Sequence, residues 1–337
     1  MSRGRSGSGG RASVRRARNA LGVAAALLLS ACTGAEIVAG THTSALAPAR
    51  ASSTPSSSPS GSRTSSPSVS RPPAGTPRHV TRRGAYAPAG AEAFADTPVY
   101  YRDGCRFTED SAQVPAPGTC HYGTPGGRRV ALVGDSKIGQ WLPALQLIAQ
   151  AERWELLFYS RSGCPYAIEG VSTDCRAFVS TVHERLAATE KPDLVMVSQI
   201  GHSTTIAASE AALLAELAAA GARVVALADT PQPGRVSLPE CLLAATDYWR
   251  DCRFRKNDGS GTRTLRDVVA AVPGAVFVTL NDLLCAPADG CPPVLDGIAL
   301  YRTGSHLTAS AVLAFTPALH KRLIEAGVAR GPVVARN

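Results

Sequence analysis

The chain has 337 residues, a formal net charge of +9, nine cysteines and a composition that is 45% hydrophobic. Its basic charge is concentrated in residues 1–92, which hold 12 of the 35 Lys and Arg side chains but only 2 of the 26 acidic ones. The rest of the chain carries 23 basic and 24 acidic side chains, which excludes the basic footprint of a nucleic-acid-binding domain.

The first 32 residues have the pattern of an export signal. Six arginines precede an apolar run at 21–29, which is shorter than the roughly 20 residues that a membrane-spanning helix needs. The Leu-Ser-Ala-Cys that follows fits the cleavage pattern of bacterial lipoproteins. We therefore expect residues 1–31 to be a lipoprotein signal peptide. Lipid on Cys32 would hold the protein at the outer face of the plasma membrane, and an ordinary signal peptide with a chance cysteine is the alternative.

Residues 32–92 are predicted to form a disordered, Ser/Pro-rich tether. The stretch at 51–60 reads ASSTPSSSPS and contains almost no aliphatic side chains. Such a segment cannot bury enough apolar surface to offset the entropy of ordering it. Its composition is typical of an extended, flexible spacer that lifts a domain away from a membrane.

From residue 93 to 330, apolar runs alternate with amphipathic stretches, as expected for a single α/β domain. The predicted strands are 130–133, 156–159, 194–198, 224–228 and 276–280, and the predicted helices lie near 138–151, 176–188, 207–220, 263–271 and 308–327. Strands rich in Val and Leu that are separated by helices are typical of a parallel sheet covered on both faces. We expect a three-layer α/β/α domain with roughly five parallel strands.

Eight cysteines remain in this domain once Cys32 is set aside, and they form four close couples along the chain. The couples are Cys105 with Cys120, Cys164 with Cys175, Cys241 with Cys252, and Cys285 with Cys291. An even number in an exported domain argues for disulfides, and proximity favours a bond within each couple, although other connectivities are open. Zinc is the alternative, but no Cys-x-x-Cys pair or suitably spaced His supports it. No metal or organic cofactor is expected.

A candidate nucleophile follows the first predicted strand. Ser136 lies on a tight turn between the carboxyl end of that strand and the amino end of a helix. Exposure and the helix dipole at this place suit a nucleophile and the oxyanion that it generates. His306, just before the last predicted helix, could serve as its base. We expect Asp135 to bond the backbone of the turn and Lys137 to face the solvent.

Together these motifs resemble the SGNH (GDSL-type) hydrolase family. The closer resemblance is to the SGNH domain that is associated with membrane acyltransferase-3 proteins, which O-acylate bacterial surface glycans. The matching landmarks occur in order over residues 98–325: YRDGC at 101–105, GDS at 134–136 with Gln140-Trp141, SGCP at 162–165, DTP at 229–231, and His306-Leu307-Thr308. The resemblance implies an SGNH/flavodoxin-like fold with disulfide-stapled loops.

The resemblance also implies roles for individual residues. Ser136 would be the nucleophile and His306 its base. The backbone N–H of Ser136, Gly163 and the side-chain amide of Gln199 would stabilise the oxyanion; the alternative for Gln199 is a bond to loop backbone. Where the family usually has an Asp that orients the His, this chain has Thr303, which can accept an imidazole N–H bond but supplies no negative charge.

A Ser–His dyad whose ring is oriented by a backbone carbonyl would be compatible with this departure. Asp296, the nearest upstream carboxylate, is seven residues before Thr303 and is not expected at the site.

The expected function is an extracytoplasmic acyl esterase or O-acyltransferase that acts on acyl esters, usually acetyl, of cell-envelope glycans through acyl-Ser136. A transferase would need a membrane acyltransferase as the partner that supplies acyl groups. The alternative is a non-catalytic lipoprotein of the same fold that binds or scaffolds wall polymer. Thr303 favours this alternative, whereas the retention of both Ser136 and His306 opposes it.

Overall fold

The computed structural model describes residues 76–286 and 289–335. The expected signal peptide, the lipidation of Cys32 and the tether up to residue 75 lie outside the described residues. Within the described ranges, no helix combines the length and the apolar character that crossing a bilayer would require.

A six-stranded sheet forms the centre of the domain. Its strands are β1 (His121–Gly123), β2 (Arg128–Gly134), β3 (Trp154–Ser160), β4 (Leu194–Ser198), β5 (Arg223–Leu227) and β6 (Val276–Val278). Their order across the sheet is β1-β3-β2-β4-β5-β6, with β2 to β6 parallel and β1 antiparallel at the edge. The five parallel strands are the five that the sequence predicts. The edge strand was not predicted because three residues that include a His and a Gly carry no apolar pattern.

Two short hairpins lie outside this sheet. They pair β7 (Val294–Leu295) with β8 (Ile298–Ala299), and β9 (Tyr301–Thr303) with β10 (His306–Leu307). The second hairpin carries the candidate base, and none of these strands exceeds three residues. Strands of this length have no periodicity that a sequence pattern could reveal.

The helices, in chain order, are α1 (Ala91–Ala95), α2 (Ser136–Gln140), α3 (Leu142–Glu152), α4 (Thr173–Arg185), α5 (Thr204–Ala219), α6 (Leu238–Ala244), α7 (Tyr248–Cys252), α8 (Thr262–Ala271), α9 (Asn281–Leu284), α10 (Ala309–Ala314) and α11 (Thr316–Glu325). Two predicted helices are each divided in two, at Trp141 and at Phe315. A proline in the first turn of α3 and of α11 accounts for both breaks. Proline lacks an N–H donor, so it suits the start of a new helix better than the interior of a continuous one.

Helices cover both faces of the sheet, which confirms the three-layer architecture. Successive strand residues point to opposite faces, so Val130 and Leu132 of β2 pack in one core with α3 and α11. Ala131 and Val133 pack in the other core with α4, α5 and α8. All four side chains are fully buried, and burial of a Val or Leu side chain contributes roughly 1.5–3 kcal/mol.

The folded domain begins before residue 93, so the predicted tether boundary is too late. Val80 pairs with Leu295 across an antiparallel bridge, and the ring of Tyr86 packs edge-on against Tyr248 with centroids 5.1 Å apart. Residues 76–92 therefore form an arm on the domain surface. Its few apolar residues are too widely spaced to stand out within a polar, Arg-containing stretch.

All eight cysteines of the domain form disulfides, and the pairs are those that proximity along the chain predicts. The bonds join Cys105 to Cys120, Cys164 to Cys175, Cys241 to Cys252, and Cys285 to Cys291. Since every one of these thiols is in a disulfide, the zinc alternative is wrong.

Candidate active site

The turn between β2 and α2 presents Ser136 as the first residue of a helix. Gly134 has φ +127°, and a side chain there would collide with the backbone carbonyl of Ser198 on β4. Glycine is therefore required at this turn. Asp135 caps α2 by accepting a hydrogen bond from Lys137 N at 2.8 Å. The turn is thus fixed on both sides of the nucleophile.

Ser136 and His306 are brought together from positions 170 residues apart. The Oγ atom of Ser136 lies 2.7 Å from Nε2 of His306, within the range at which an imidazole can take a hydroxyl proton. Both residues are half-buried, so one side of the pair is open to a substrate. This contact is the geometry of a nucleophile and its general base.

The surroundings of His306 keep its imidazole neutral. Burial, together with the positive charges of Lys137 and Arg302, lowers the pKa of His306 to about 3. The backbone carbonyl of Thr303 acts in the opposite direction and raises the pKa. The ring is therefore neutral at neutral pH, but it is a weaker base than an ordinary histidine. Within the part of the chain that the structure describes, no carboxylate bonds the ring to stabilise the imidazolium that would form.

Thr303 acts through its backbone and not through its side chain. Thr303 pairs with His306 across the β9–β10 hairpin, and its side chain is exposed. The group of Thr303 that hydrogen-bonds the imidazole is thus its backbone carbonyl and not its hydroxyl. This arrangement corresponds to the Ser–His dyad with a backbone acceptor.

Lys137 is fully buried, so the expectation that it faces solvent is wrong. Its Nζ atom lies 2.9 Å from Oδ1 of Asp229 and donates to Thr230 Oγ1 at 2.6 Å. It also reaches Ser305, whose carbonyl oxygen accepts at 2.7 Å and whose hydroxyl lies at 3.1 Å. The ammonium group is buried because every donor has a partner and a carboxylate balances its charge.

The short helix α2 contacts three successive residues of the His306 loop. Ser136 bonds His306, and Lys137 bonds Ser305 on one side of it. On the other side, the backbone N–H of Leu307 donates to Oε1 of Gln140 at 3.1 Å. The five residues of α2 therefore carry the candidate nucleophile and both side chains that bond the residues on either side of the candidate base.

Asp135 bonds backbone groups, as predicted. Besides Lys137 N, its carboxyl accepts from Ile200 N at 2.8 Å, which holds the loop after β4 against the turn. Complete burial raises the pKa of Asp135 to about 7, although both backbone bonds and Lys137 oppose the shift. The Asp135 side chain thus holds the turn to the loop after β4, and it does not contact His306.

Two of the three expected oxyanion donors keep free N–H groups. Neither the Ser136 N–H nor the Gly163 N–H is engaged by another group within the described residues. Gly163 has φ +62° and is exposed. Its loop follows β3, whose end is held to the turn because Ser160 Oγ donates to the Asp135 carbonyl at 2.9 Å and Arg161 N donates to the Gly134 carbonyl at 3.2 Å.

Gln199 makes a different contact from the one expected. Its side chain is buried, and its terminal amide faces the carboxyl of Glu210 on α5. With the amide nitrogen assigned to that side, it donates to both carboxyl oxygens, at 3.2 and 3.3 Å. In this arrangement the amide neither supplies an oxyanion donor nor bonds loop backbone. Glu210 is itself fully buried, and burial raises its pKa well above the ordinary value, with the charge of Asp135 adding to the shift.

Other candidate residues lie away from the dyad. The carboxyl of Asp296 accepts backbone N–H groups of Arg78 and His79 at 3.0 and 3.2 Å, so it anchors the amino-terminal arm, as its distance along the sequence had suggested. Tyr159 and Tyr166, which lie on either side of the loop after β3, are almost completely buried. Their hydroxyls bond neighbouring side chains within the second core.

Sequence reasoning assigned no anchoring role to Asp229, Thr230, Ser305 and Gln140, although Gln140 and the DTP stretch at 229–231 are among the landmark motifs. A usable signal existed for two of them. Asp229 and Thr230 follow directly after a predicted strand, and polar groups at the carboxyl ends of parallel strands converge at one edge of the sheet. Nothing in the local sequence connects them with Lys137.

The fold and the contact between Ser136 and His306 define an α/β/α domain that carries a candidate Ser–His dyad. The family model of the SGNH domain that is fused to AT3 domains matches residues 104–321. Because this match covers more than half of the chain, the protein belongs to the SGNH family. Family membership supports an activity of the acyl esterase or acyltransferase class. No curated protein matches the chain.

Two solved structures are similar to this chain. The periplasmic domain of the lipopolysaccharide acetyltransferase of Salmonella ser. Paratyphi A aligns with a TM-score of 0.45 and 12% identity, over 59% of this chain and 84% of that one. A protein from Bacteroides fragilis NCTC 9343 that is described as an acylhydrolase aligns with a TM-score of 0.34 and 11% identity, over 61% and 91% of the two chains.

Proposed function

We propose that this protein is a serine-dependent acyl esterase or O-acyltransferase that acts on acyl esters of cell-envelope glycans. The observation that carries the proposal is the 2.7 Å contact between Ser136 Oγ and His306 Nε2 at a strand-to-helix turn. A serine hydroxyl is a weak nucleophile unless a base takes its proton. The dyad supplies that base at hydrogen-bonding distance.

In the acylation step, Ser136 Oγ attacks the carbonyl carbon of the ester while His306 Nε2 takes the hydroxyl proton. The tetrahedral oxyanion would be stabilised by the N–H groups of Ser136 and Gly163. When the intermediate collapses, the bond from carbon to the leaving alkoxide breaks, and His306 returns its proton to that oxygen. Acyl-Ser136 and a free hydroxyl compound result.

In the second step, His306 takes a proton from an acceptor hydroxyl, which attacks the acyl carbon. The bond to Ser136 Oγ then breaks, and the serine regains the proton. Water as acceptor makes the protein an esterase, and a sugar hydroxyl makes it a transferase. Both reactions use the same side chains, so the choice depends on how the glycan binds and on whether a membrane acyltransferase supplies acyl groups.

An extracytoplasmic location supports this substrate class, because four disulfides in one domain are typical of an oxidising compartment. We include in the proposal that lipid on Cys32 anchors the chain at the outer face of the plasma membrane. The tether would then give the domain reach toward envelope glycans. Metabolic labelling with a fatty-acid analogue, compared between wild type and Cys32→Ala, tests the anchor.

Intact-mass analysis of the full-length chain after exposure to a serine-reactive fluorophosphonate tests the proposed activity, with Ser136→Ala as control. A single adduct that is absent from the variant is the expected result. Absence of an adduct on folded wild-type protein would contradict the proposal. Product analysis with an acetylated glycan, in the presence and absence of acceptor sugar, then separates hydrolysis from transfer.

Among the described residues no carboxylate bonds His306, which favours one second candidate, a glycan-binding protein that retains the fold without catalysis. The same Ser136→Ala variant separates the two functions. A catalyst loses its turnover in the variant, whereas a binder keeps its affinity for an envelope glycan. Retained affinity together with an unreactive Ser136 in the wild type would establish the binding role.

A further inference from the structure

The loop that carries His306 is fastened to the sheet by a buried cation. Three groups surround Lys137 Nζ within 2.9 Å: Asp229 Oδ1, Thr230 Oγ1 and the carbonyl oxygen of Ser305. The same Ser305 carbonyl also accepts from Thr230 Oγ1 at 2.8 Å. The residue immediately before the base is therefore held by two donors, one of them charged.

Asp229 is in turn fixed by groups other than Lys137. Its Oδ2 atom accepts from Gly261 N at 3.1 Å and from Gln232 Nε2 at 2.9 Å, and its backbone carbonyl accepts from Asn281 Nδ2 at 2.8 Å. The carboxylate thus belongs to a rigid network at the carboxyl end of β5. Because Lys137 contacts both Asp229 and the Ser305 carbonyl, this network also restricts the movement of Ser305.

A buried ion pair is weak evidence for stability, since the cost of desolvating both charges can exceed their attraction. Lys137 and Asp229 are both completely buried. The place of this pair in the fold is what suggests a role for it. Lys137 directly follows Ser136 and bonds Ser305, the residue directly before His306. Lys137 therefore connects the segment that carries Ser136 to the segment that carries His306.

We propose that Lys137, held by Asp229, is the positioning residue that keeps His306 in bonding contact with Ser136 in this chain. In a serine triad a carboxylate both orients the imidazole and stabilises its charged form. Lys137 performs only the first of these tasks, and it does so through the backbone of Ser305. The inference rests on the proposed function for its catalytic meaning, but the geometry that it asserts can be measured without turnover.

The principal test is the double variant Lys137→Met/Asp229→Asn, which removes both charges together and leaves neither one buried without a partner. A matched control, His320→Gln/Glu152→Gln, removes another buried pair, with 2.7 Å between Nε2 and Oε1, that links α11 to α3. Thr230→Val removes one neutral donor to the Ser305 carbonyl and one acceptor of Lys137 Nζ, and it serves as a milder variant. All are made in the full-length chain.

Three measurements are compared: the melting temperature, the rate of fluorophosphonate labelling of Ser136, and the NMR signals of ¹⁵N-labelled His306. We expect the double variant to lose about 100-fold in labelling rate, because a displacement of about 1 Å can cost that much. The His306 signals should show that the bond to Ser136 is lost. The control should shift the melting temperature while leaving the labelling rate and the His306 signals unchanged, and Thr230→Val should show a smaller loss of labelling.

Unchanged labelling and unchanged His306 signals in a folded double variant would overturn the proposal. If the double variant fails to fold, Thr230→Val decides by the same two measurements. If the wild type is not labelled at all, the proposed function fails, and the His306 signals alone decide whether Lys137 positions the ring. The two failures are therefore distinguishable.

Discussion

The Oε1 atom of Gln140 accepts a hydrogen bond from the backbone N–H of Leu307 at 3.1 Å, so the helix that carries the nucleophile also holds the residue after the base. Both residues are buried. A buried N–H that loses its partner is costly because water cannot replace the bond. The Gln140 side chain therefore helps to hold the His306 loop against α2, although it touches neither Ser136 Oγ nor His306 Nε2.

Replacing this acceptor should destabilise the domain and loosen the dyad together. For Gln140→Leu we expect a loss of about 1–3 kcal/mol in the free energy of unfolding, and a fall of about tenfold or more in the rate of Ser136 labelling. Urea unfolding and fluorophosphonate kinetics measure the two effects. Gln150→Leu, at an exposed site on α3, is the control and should stay within about 0.5 kcal/mol of wild type. Equal effects from both substitutions would contradict the assignment.

Thr303→Asp should strengthen the base. Residue 303 pairs with His306 across the hairpin, so a carboxylate there favours the imidazolium even from an exposed side chain. We expect the pKa of His306 to rise and ester hydrolysis to accelerate by about tenfold. This is a small part of the roughly 10⁴-fold that the triad acid contributes in the worked serine-protease case. Thr303→Asn is the control, because it has a similar shape and no charge. If Asp and Asn give the same rate, the backbone carbonyl of Thr303 already provides all the orientation that the ring requires.

The pH dependence of the reaction should reveal the unusual environment of the base. His306 must be neutral to accept a proton, and burial together with Lys137 and Arg302 lowers its pKa to about 3. The acid limb of the kcat/KM profile should therefore lie near pH 3, well below the ordinary histidine value of about 6.5. Activity at pH 5 should equal that at pH 7 within about twofold. An acid limb centred near pH 6 would show that His306 is more exposed or less influenced by the two cations.

The sequence predicts the sheet and the dyad well, because each leaves a local signal. Parallel strands that are buried on both faces are continuous Val- and Leu-rich runs, and the run before Ser136 ends at a glycine that the turn requires. His306 is identified by the motif that surrounds it and not by any periodicity. Each strand, the turn and His306 are therefore marked by neighbouring residues in the sequence, although the contact between Ser136 and His306 joins positions 170 residues apart.

The rest of the site depends on contacts between distant residues. A lysine is seldom buried unless it is paired, so Lys137 suggests a solvent-facing side chain. Ser305, one of its partners, lies 168 residues further along the chain. The sequence likewise predicts an oxyanion role for Gln199. The packing of α5 on the sheet instead brings Glu210 into contact with its amide. In both cases the tertiary structure supplies the partner that decides what the side chain does.

The buried carboxyl of Glu210 should make the domain less stable as the pH rises. Burial raises the folded-state pKa of Glu210 well above the unfolded value of about 4.3, and that of Asp135 to about 7. For a carboxyl with a raised folded pKa, the folded state keeps a proton that the unfolded state releases. The stabilising contribution is complete below the unfolded pKa and is lost as the pH rises through the folded pKa.

Glu210→Gln should remove this pH dependence at one of the two carboxyls, because a neutral amide mimics the protonated acid and its oxygen can still accept from Gln199. We expect the variant to melt at a higher temperature than wild type at pH 8 and at nearly the same temperature at pH 5. Glu184→Gln, at an exposed site on α4, should leave both temperatures unchanged. A Glu210→Gln variant that is less stable than wild type at pH 8 would mean that the folded protein holds Glu210 as a carboxylate, and its contact with Gln199 would then be a charge-assisted bond that the folded state requires.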